Sequence, residues 1–267
     1  MDTIITKGIE RVETMAMGVA GKGMVAVVTG GHGSGKSEAA AWVEQCMESD
    51  MDNGRVLLID CPRDCNAFTL AKKLAEALGL ALKGNANPIS TLASIKSALI
   101  RGDYRLIIAD NTDHLDDSCQ EHLIRLIDQA ASATKSRTGL LALETNRSAG
   151  KSFSTFAAEF GYRPLGVALP RLARNEVGAF LTGMFPSAEG LAEYLTTNDG
   201  KQLLHDLRAY SKGAPRQVEN ILESIQLTAS FPEIPTAEDI HKAVKGVCGG
   251  KAPTRNRAAS QANGATA

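Results

Sequence analysis

Apolar residues fall along this chain in two alternating patterns, short unbroken runs and longer stretches spaced by three and four. The runs are Val25–Thr29, Arg55–Asp60 (RVLLID), Arg105–Asp110 (RLIIAD) and Gly139–Leu143 (GLLAL). Each is brief and dominated by aliphatic residues, which predicts a strand buried on both faces. Helical stripes lie around them: Ile5, Ile9, Val12, Met15 and Met17 or Val19 ahead of the first strand, then Ser37–Met47, Ala67–Leu80, Pro88–Arg101 and Asp116–Ser132. Strand and helix alternating in this order predict an α/β fold, a parallel sheet with helices on both faces and every ligand loop at its carboxyl edge.

After Leu169 the pattern is helical only, over Arg174–Phe185, Ala188–Tyr210, Pro215–Ala229 and Thr236–Val247, with Pro or Gly between the segments. Pro215 stands where a first helical residue belongs, and Pro235-Thr236 precedes a helix with acids in its first turn. The expected division is an amphipathic helix over 1–20, a three-layer αβα core over 21–172, a small all-helical lid over 173–248, and a tail over 249–267. That tail carries Lys251, Arg255 and Arg257 without an acid, and its small polar composition predicts disorder.

One loop in the alternation carries specific chemistry. Gly30–Ser37 reads GGHGSGKS, a complete G-x-x-x-x-G-K-[ST] loop between an apolar run and a helix-friendly segment. Gly30, Gly31, Gly33 and Gly35, interleaved with His32 and Ser34, let successive N–H groups converge where the positive end of the following helix dipole also lies. ATP with Mg²⁺ fits such a cradle. Lys36 would reach the β- and γ-phosphates and Ser37 would offer its hydroxyl to Mg²⁺, with Glu38 beside them in the first helical turn.

The run ending at Asp110, about 74 residues after Lys36, matches the strand-terminal aspartate that holds Mg²⁺ or its water in phosphate-loop ATPases. Many such proteins place a glutamate next; here the residue is Asn111, whose amide can orient a water but cannot accept its proton. Binding without fast hydrolysis is therefore the expectation, turnover being slow or partner-stimulated. Asp113 is a substitute base, although one step around the strand end changes its direction. Either Thr145 or Asn146, ending the fourth strand, is placed to sense the γ-phosphate. Gly213-Ala214-Pro215-Arg216 puts Arg216 in the first turn of a lid helix, where an arginine can couple lid position to nucleotide state.

Composition narrows the partners. A formal net charge of −1, from 29 basic and 30 acidic residues, leaves no global field that marks a nucleic-acid binder. DNA contact would have to come from local cations: Arg63, Lys72 and Lys73, Lys135 and Arg137, Arg147 and Lys151. Aromatic residues make up 4% of the chain and none is read as flanking these cations, so duplex backbone contact is expected rather than base stacking. Five cysteines without C-x-x-C spacing suit free thiols in a reducing compartment. With no signal pattern and no apolar run of roughly 18 residues, a cytoplasmic location without membrane contact is expected.

Together GGHGSGKS, LIIAD, the Thr145-Asn146 pair and GAPR before a helix resemble the AAA+ ATPases, over about residues 5–247. Within that class GKSEAA (Gly35–Ala40), LIIADNTDHL (Leu106–Leu115) and LAEALGL (Leu74–Leu80) most resemble the target-DNA-capture ATPases of transposable bacteriophages, the Mu B family. The resemblance implies ATP-dependent duplex binding without sequence preference, self-association into a helical filament or ring, and delivery of DNA to a transposase in a bacterial or phage-infected cytoplasm. Three departures stand out. An N-terminal helix-turn-helix precedes the ATPase in that family, whereas here the ATPase pattern starts almost at once; Asn111 replaces the usual glutamate; and the stretch that offers an arginine to a neighbouring subunit reads FAAEFGYRP, making Arg163 the candidate with Arg171 and Arg174 as rivals. A secretion- or pilus-type assembly ATPase that does not bind DNA is the alternative. A P-loop kinase or GTPase is disfavoured by the lack of an NKxD motif and by the helical C-terminal part.

Overall fold

In the central strands of the sheet, alternate side chains enter two separate cores, which is why their sequences read as unbroken apolar runs. The computed structural model describes residues 4–49, 54–63, 65–81, 88–130, 137–145, 151–188, 190–229 and 236–248. Five parallel strands, β1 (Val25–Gly30), β2 (Arg55–Asp60), β3 (Tyr104–Asp110), β4 (Gly139–Thr145) and β5 (Leu165–Ala168), form one sheet in the order β2-β3-β4-β1-β5. Ala26, Val28, Val56, Leu106, Ile108, Leu141 and Leu143 pack against α1 (Lys7–Val19) and α2 (Lys36–Ser49). Val25, Val27, Leu57, Ile59, Ile107, Ala109, Leu140 and Ala142 face the other way. They meet α3 (Ala67–Ala77), α4 (Pro88–Arg101), α5 (Asp117–Ala130) and α6 (Phe153–Glu159). The result is the three-layer αβα arrangement.

The chain divides into two units, Met1–Pro170 and Arg171–Ala267. The second is helical: α7 (Arg174–Met184), α8 (Leu191–Tyr194), α9 (Asn198–Tyr210), α10 (Pro215–Thr228) and α11 (Ala237–Cys248). Its core is built from Val177, Phe180, Leu181, Leu203, Leu207, Val218, Leu222, Ile225, Ile240 and Val244, all buried. Gly213 closes the α9–α10 turn at φ 67°, its N–H donating to the Arg208 carbonyl, and Pro215 opens α10. Among the described residues no helix is long and apolar enough to cross a membrane.

Three sequence expectations need correction. Ala188–Tyr210 is not one helix. The chain breaks before α9, where the Thr197 hydroxyl accepts the Gly200 N–H at 3.1 Å, a local cap that competes with helix continuation. The helix predicted over Ala67–Leu80 ends at Ala77, because Gly79 takes up φ 66°. The four predicted strands become five: β5 is a short edge strand whose residues stay largely exposed, so it lacks the buried apolar run that marks the others.

Candidate functional site

The loop between β1 and α2 can close only because its glycines reach left-handed backbone, Gly33 at φ 71° and Gly35 at φ 86°. A Cβ at Gly30 would collide with the Ser34 hydroxyl. Within this loop Lys36, the first residue of α2, is only 7% exposed, and its ammonium donates to the carbonyls of Gly30 at 3.2 Å and Gly31 at 3.1 Å. Burial lowers its pKa below the usual lysine value, opposed by the charges of Asp110 and Asp113. The loop therefore keeps a desolvated cation over its own carbonyls.

Ser37 sits beside Lys36, and its hydroxyl donates to Asp110 Oδ2 at 2.5 Å. Asp110 ends β3 and is itself buried, 6% exposed; its other oxygen, Oδ1, accepts the Asn111 N–H at 2.8 Å. Residues 73 apart in sequence thus meet at the carboxyl edge of one sheet. These residues fit a magnesium nucleotide on two structural grounds. A hydroxyl and a carboxylate, both hard oxygen donors, are already side by side. The Ser34 hydroxyl is buried within the cradle without a hydrogen-bond partner, a donor that a phosphate oxygen would satisfy.

Beyond Asp110 the chain turns sharply. Asn111 adopts φ 57°, ψ 39°, and its side-chain amide donates to Asp60 Oδ1 at 2.8 Å. The amide expected to orient a water is thus committed to the end of β2. A short 3₁₀ turn, Thr112–His114, follows and is tied to β4: the Thr112 hydroxyl donates to the Leu143 carbonyl at 3.2 Å, and Asp113 Oδ1 accepts the Thr145 N–H at 3.2 Å. His114 donates its ring Nδ1–H to the Cys61 carbonyl at 2.9 Å. Thr145 pairs in register with Gly30, so the end of β4 adjoins the start of the phosphate loop. His32 and Gly31 are exposed on the loop, and Ser37 and Glu38 on the first turn of α2.

Among the described residues of the first unit, the remaining candidate cations do not form one cluster. Arg63 is exposed beyond the carboxyl end of β2, and Lys72 and Lys73 are exposed on α3, each near Glu76. Arg137 stands at the opposite edge, just before β4, with its backbone bridged to Lys22. Lys151 is paired with Glu159 at 2.8 Å. Phe68, 50% exposed and four residues before Lys72 on α3, corrects the expectation that no aromatic flanks the cations; its neighbours in sequence are polar or small, so nothing there signals that its ring faces solvent. Arg163 is exposed just before β5; Arg171 and Arg174 belong to the helical unit, where the Arg174 guanidinium meets His205 Nδ1 at 3.1 Å. Arg216 is exposed in the first turn of α10. Asn146, Lys135, Arg147 and the tail over 249–267 lie outside the described residues.

Sequence reasoning passed over Asp60. Asp60 had a usable signal, since it ends the run RVLLID just as Asp110 ends RLIIAD, and the two pair in register.

A strand order of β2-β3-β4-β1-β5 with the phosphate loop after β1 and the aspartate after β3 decides the fold. Residues 20–143 match the family model of the AAA domain. The fold is the AAA+ P-loop fold. It is shared with the Aeropyrum pernix ORC1 protein in complex with DNA (TM-score 0.65, 15% identity, covering 91% of this chain and 66% of that one). The A. pernix ORC2 protein in its ADPNP-ADP complexes is similar (TM-score 0.64, 16% identity, 89% and 66%). So is the replication initiator DnaA bound to AMPPCP and single-stranded DNA (TM-score 0.54, 16% identity, 84% and 63%). The chain spans 66% or less of the length of these proteins, and at such identities the likeness is one of AAA+ fold. No curated protein matches the sequence.

Proposed function

We propose that this chain is an ATP-switched, self-associating protein that binds DNA without reading its sequence and, like the Mu B family it resembles, presents captured DNA to a transposase. The observation that carries the reading is the junction of Lys36, Ser37 and Asp110 at the carboxyl edge of β1 and β3. In this reading the loop amides and Lys36 hold the phosphates, while Ser37 and Asp110 hold Mg²⁺. The metal, when bound, neutralises charge on the phosphate oxygens. The Lys36 ammonium has three donors, and two go to the Gly30 and Gly31 carbonyls, so a third is available to a phosphate oxygen. Thr145 or Asn146 reports the γ-phosphate, and Arg216 serves the nucleotide state from the helical unit.

DNA binding is supported by the solved relatives of this fold described with DNA, and by the exposed cations Arg63, Lys72 and Lys73 with the exposed Phe68 on α3. Cations without a shared groove give weak contacts per chain, which self-association multiplies.

The test is a salt titration of binding to duplex and single-stranded DNA of mixed sequence, with and without a slowly hydrolysed ATP analogue. The expected result is analogue-dependent duplex binding that weakens steeply with salt and is lost in Lys36→Ala. Preference for the single strand, abolished by Phe68→Ala, would replace backbone contact by stacking on α3. Nucleotide binding with no DNA bound at low salt would move the assignment to an assembly ATPase without DNA.

A further inference from the structure

The two polar residues that follow Asp110 leave β3 in opposite directions. In the sheet, β2 lies on one side of β3, and β4 with β1 on the other. Asn111, held in left-handed backbone, sends its amide to Asp60 at the end of β2, away from the phosphate loop. Asp113, two residues later in the 3₁₀ turn, is drawn to the β4 side, where one carboxylate oxygen accepts the Thr145 N–H. Thr145 in turn lies alongside Gly30, the first residue of the loop. Asp113 is also close enough for its charge to act on the Lys36 ammonium. A carboxylate has two acceptor oxygens, and one backbone N–H occupies one of them. The turn is pinned at both ends, by Thr112 to the Leu143 carbonyl and by His114 to the Cys61 carbonyl, so the carboxylate's direction is set by structure rather than by a free side chain.

We propose that Asp113 is the catalytic carboxylate of this site, orienting the attacking water and taking its proton, in place of the glutamate that is absent at position 111. The proposal rests on the nucleotide-site reading given above. In the step, the water oxygen bonds to the γ-phosphorus and the bond from that phosphorus to the bridging oxygen breaks. The electron pair leaves with ADP, and the water proton passes to Asp113 and then to solvent. Displacing the carboxylate from the residue next to Asp110 to the following turn keeps a base available while freeing position 111 to tie β3 to β2.

The test compares wild type, Asp113→Asn, Asp113→Glu, Asn111→Ala and Lys36→Ala by steady-state phosphate release, with and without duplex DNA, and by titration with a fluorescent Mg-ATP analogue. Asp113→Asn keeps an oxygen for the Thr145 N–H, so it removes the base while leaving the turn tied. Its turnover is expected to fall at least about 100-fold, the scale of general-base loss, with analogue affinity within about threefold of wild type by the same logic. Asp113→Glu is expected to retain more turnover than Asp113→Asn, and Asn111→Ala to lose at least tenfold less. Turnover unchanged in Asp113→Asn overturns the proposal, as does a loss in Asn111→Ala equal to it. Loss of analogue binding together with turnover in Asp113→Asn, or a wild type that binds the analogue but never releases phosphate, also overturns it. A wild type that binds no Mg-ATP analogue sinks the nucleotide-site reading itself, and is distinguished from the other outcomes by the binding titration.

Discussion

At the scale of single residues, the site is organised around a cation that the fold itself makes uncomfortable. Lys36 is buried, its charged form is disfavoured by desolvation, and its hydrogen bonds go to two carbonyls of its own loop. A neighbouring phosphate would compensate that charge far better than neutral carbonyls do. Ser34 adds a buried hydroxyl without a partner, which the same ligand would satisfy. Ligand binding should therefore stabilise the native state directly. Mg-ATP at 100 times its Kd is expected to add about 2.7 kcal/mol by mass action, read as a rise in Tm by scanning calorimetry. Lys36→Ala is expected to abolish the rise; an equal rise in that variant would mean that the nucleotide binds elsewhere.

At the scale of elements, α1 is fitted closely against the start of β4. Gly139, the first residue of β4, lies so close to the C-terminal end of α1 that an added Cβ would strike the Val19 carbonyl and stand 2.9 Å from its carbon. Backbone cannot move aside as a flexible side chain can, so Gly139→Ala should cost about 1–3 kcal/mol. Gly166, on β5, has nothing within 4 Å of the same added atom. Urea denaturation of the two alanine variants checks this: Gly139→Ala is expected to lower the midpoint and Gly166→Ala to leave it nearly unchanged. The contrast follows strand position, because a central strand is covered by helices while the edge strand is open. The same difference explains why Val25–Thr29 and RLIIAD are legible as strands and LGVA is not. Burial on both faces writes itself into a sequence as a run of aliphatic residues, and an exposed edge strand needs no such run.

At the scale of the whole molecule, parallel pairing sets Arg163 far from its own phosphate loop. Leu165 pairs with Ala26, so Arg163 lies at the amino edge of the sheet, roughly 20 Å from the loop at about 3.3 Å of rise per residue. An arginine there can serve only a site on another copy. If Arg163 acts in this way, Arg163→Ala and Lys36→Ala should each be nearly inactive in phosphate release, and their mixture should recover activity, since one keeps the nucleotide and the other the arginine. No recovery at concentrations where wild type is active would exclude Arg163 and turn attention to Arg171 or Arg174. The sequence by itself determined the loop chemistry and the strand–helix alternation. GGHGSGKS, Asp110 and the apolar runs depend on residue type and local spacing, and these are present in the chain before it folds. Only tertiary structure decided which way the residues after Asp110 point. Asn111 and Asp113 are two positions apart, yet one is claimed by Asp60 on β2 and the other by Thr145 on β4. That choice depends on strand order and on a left-handed turn, neither of which leaves a periodic trace in the sequence.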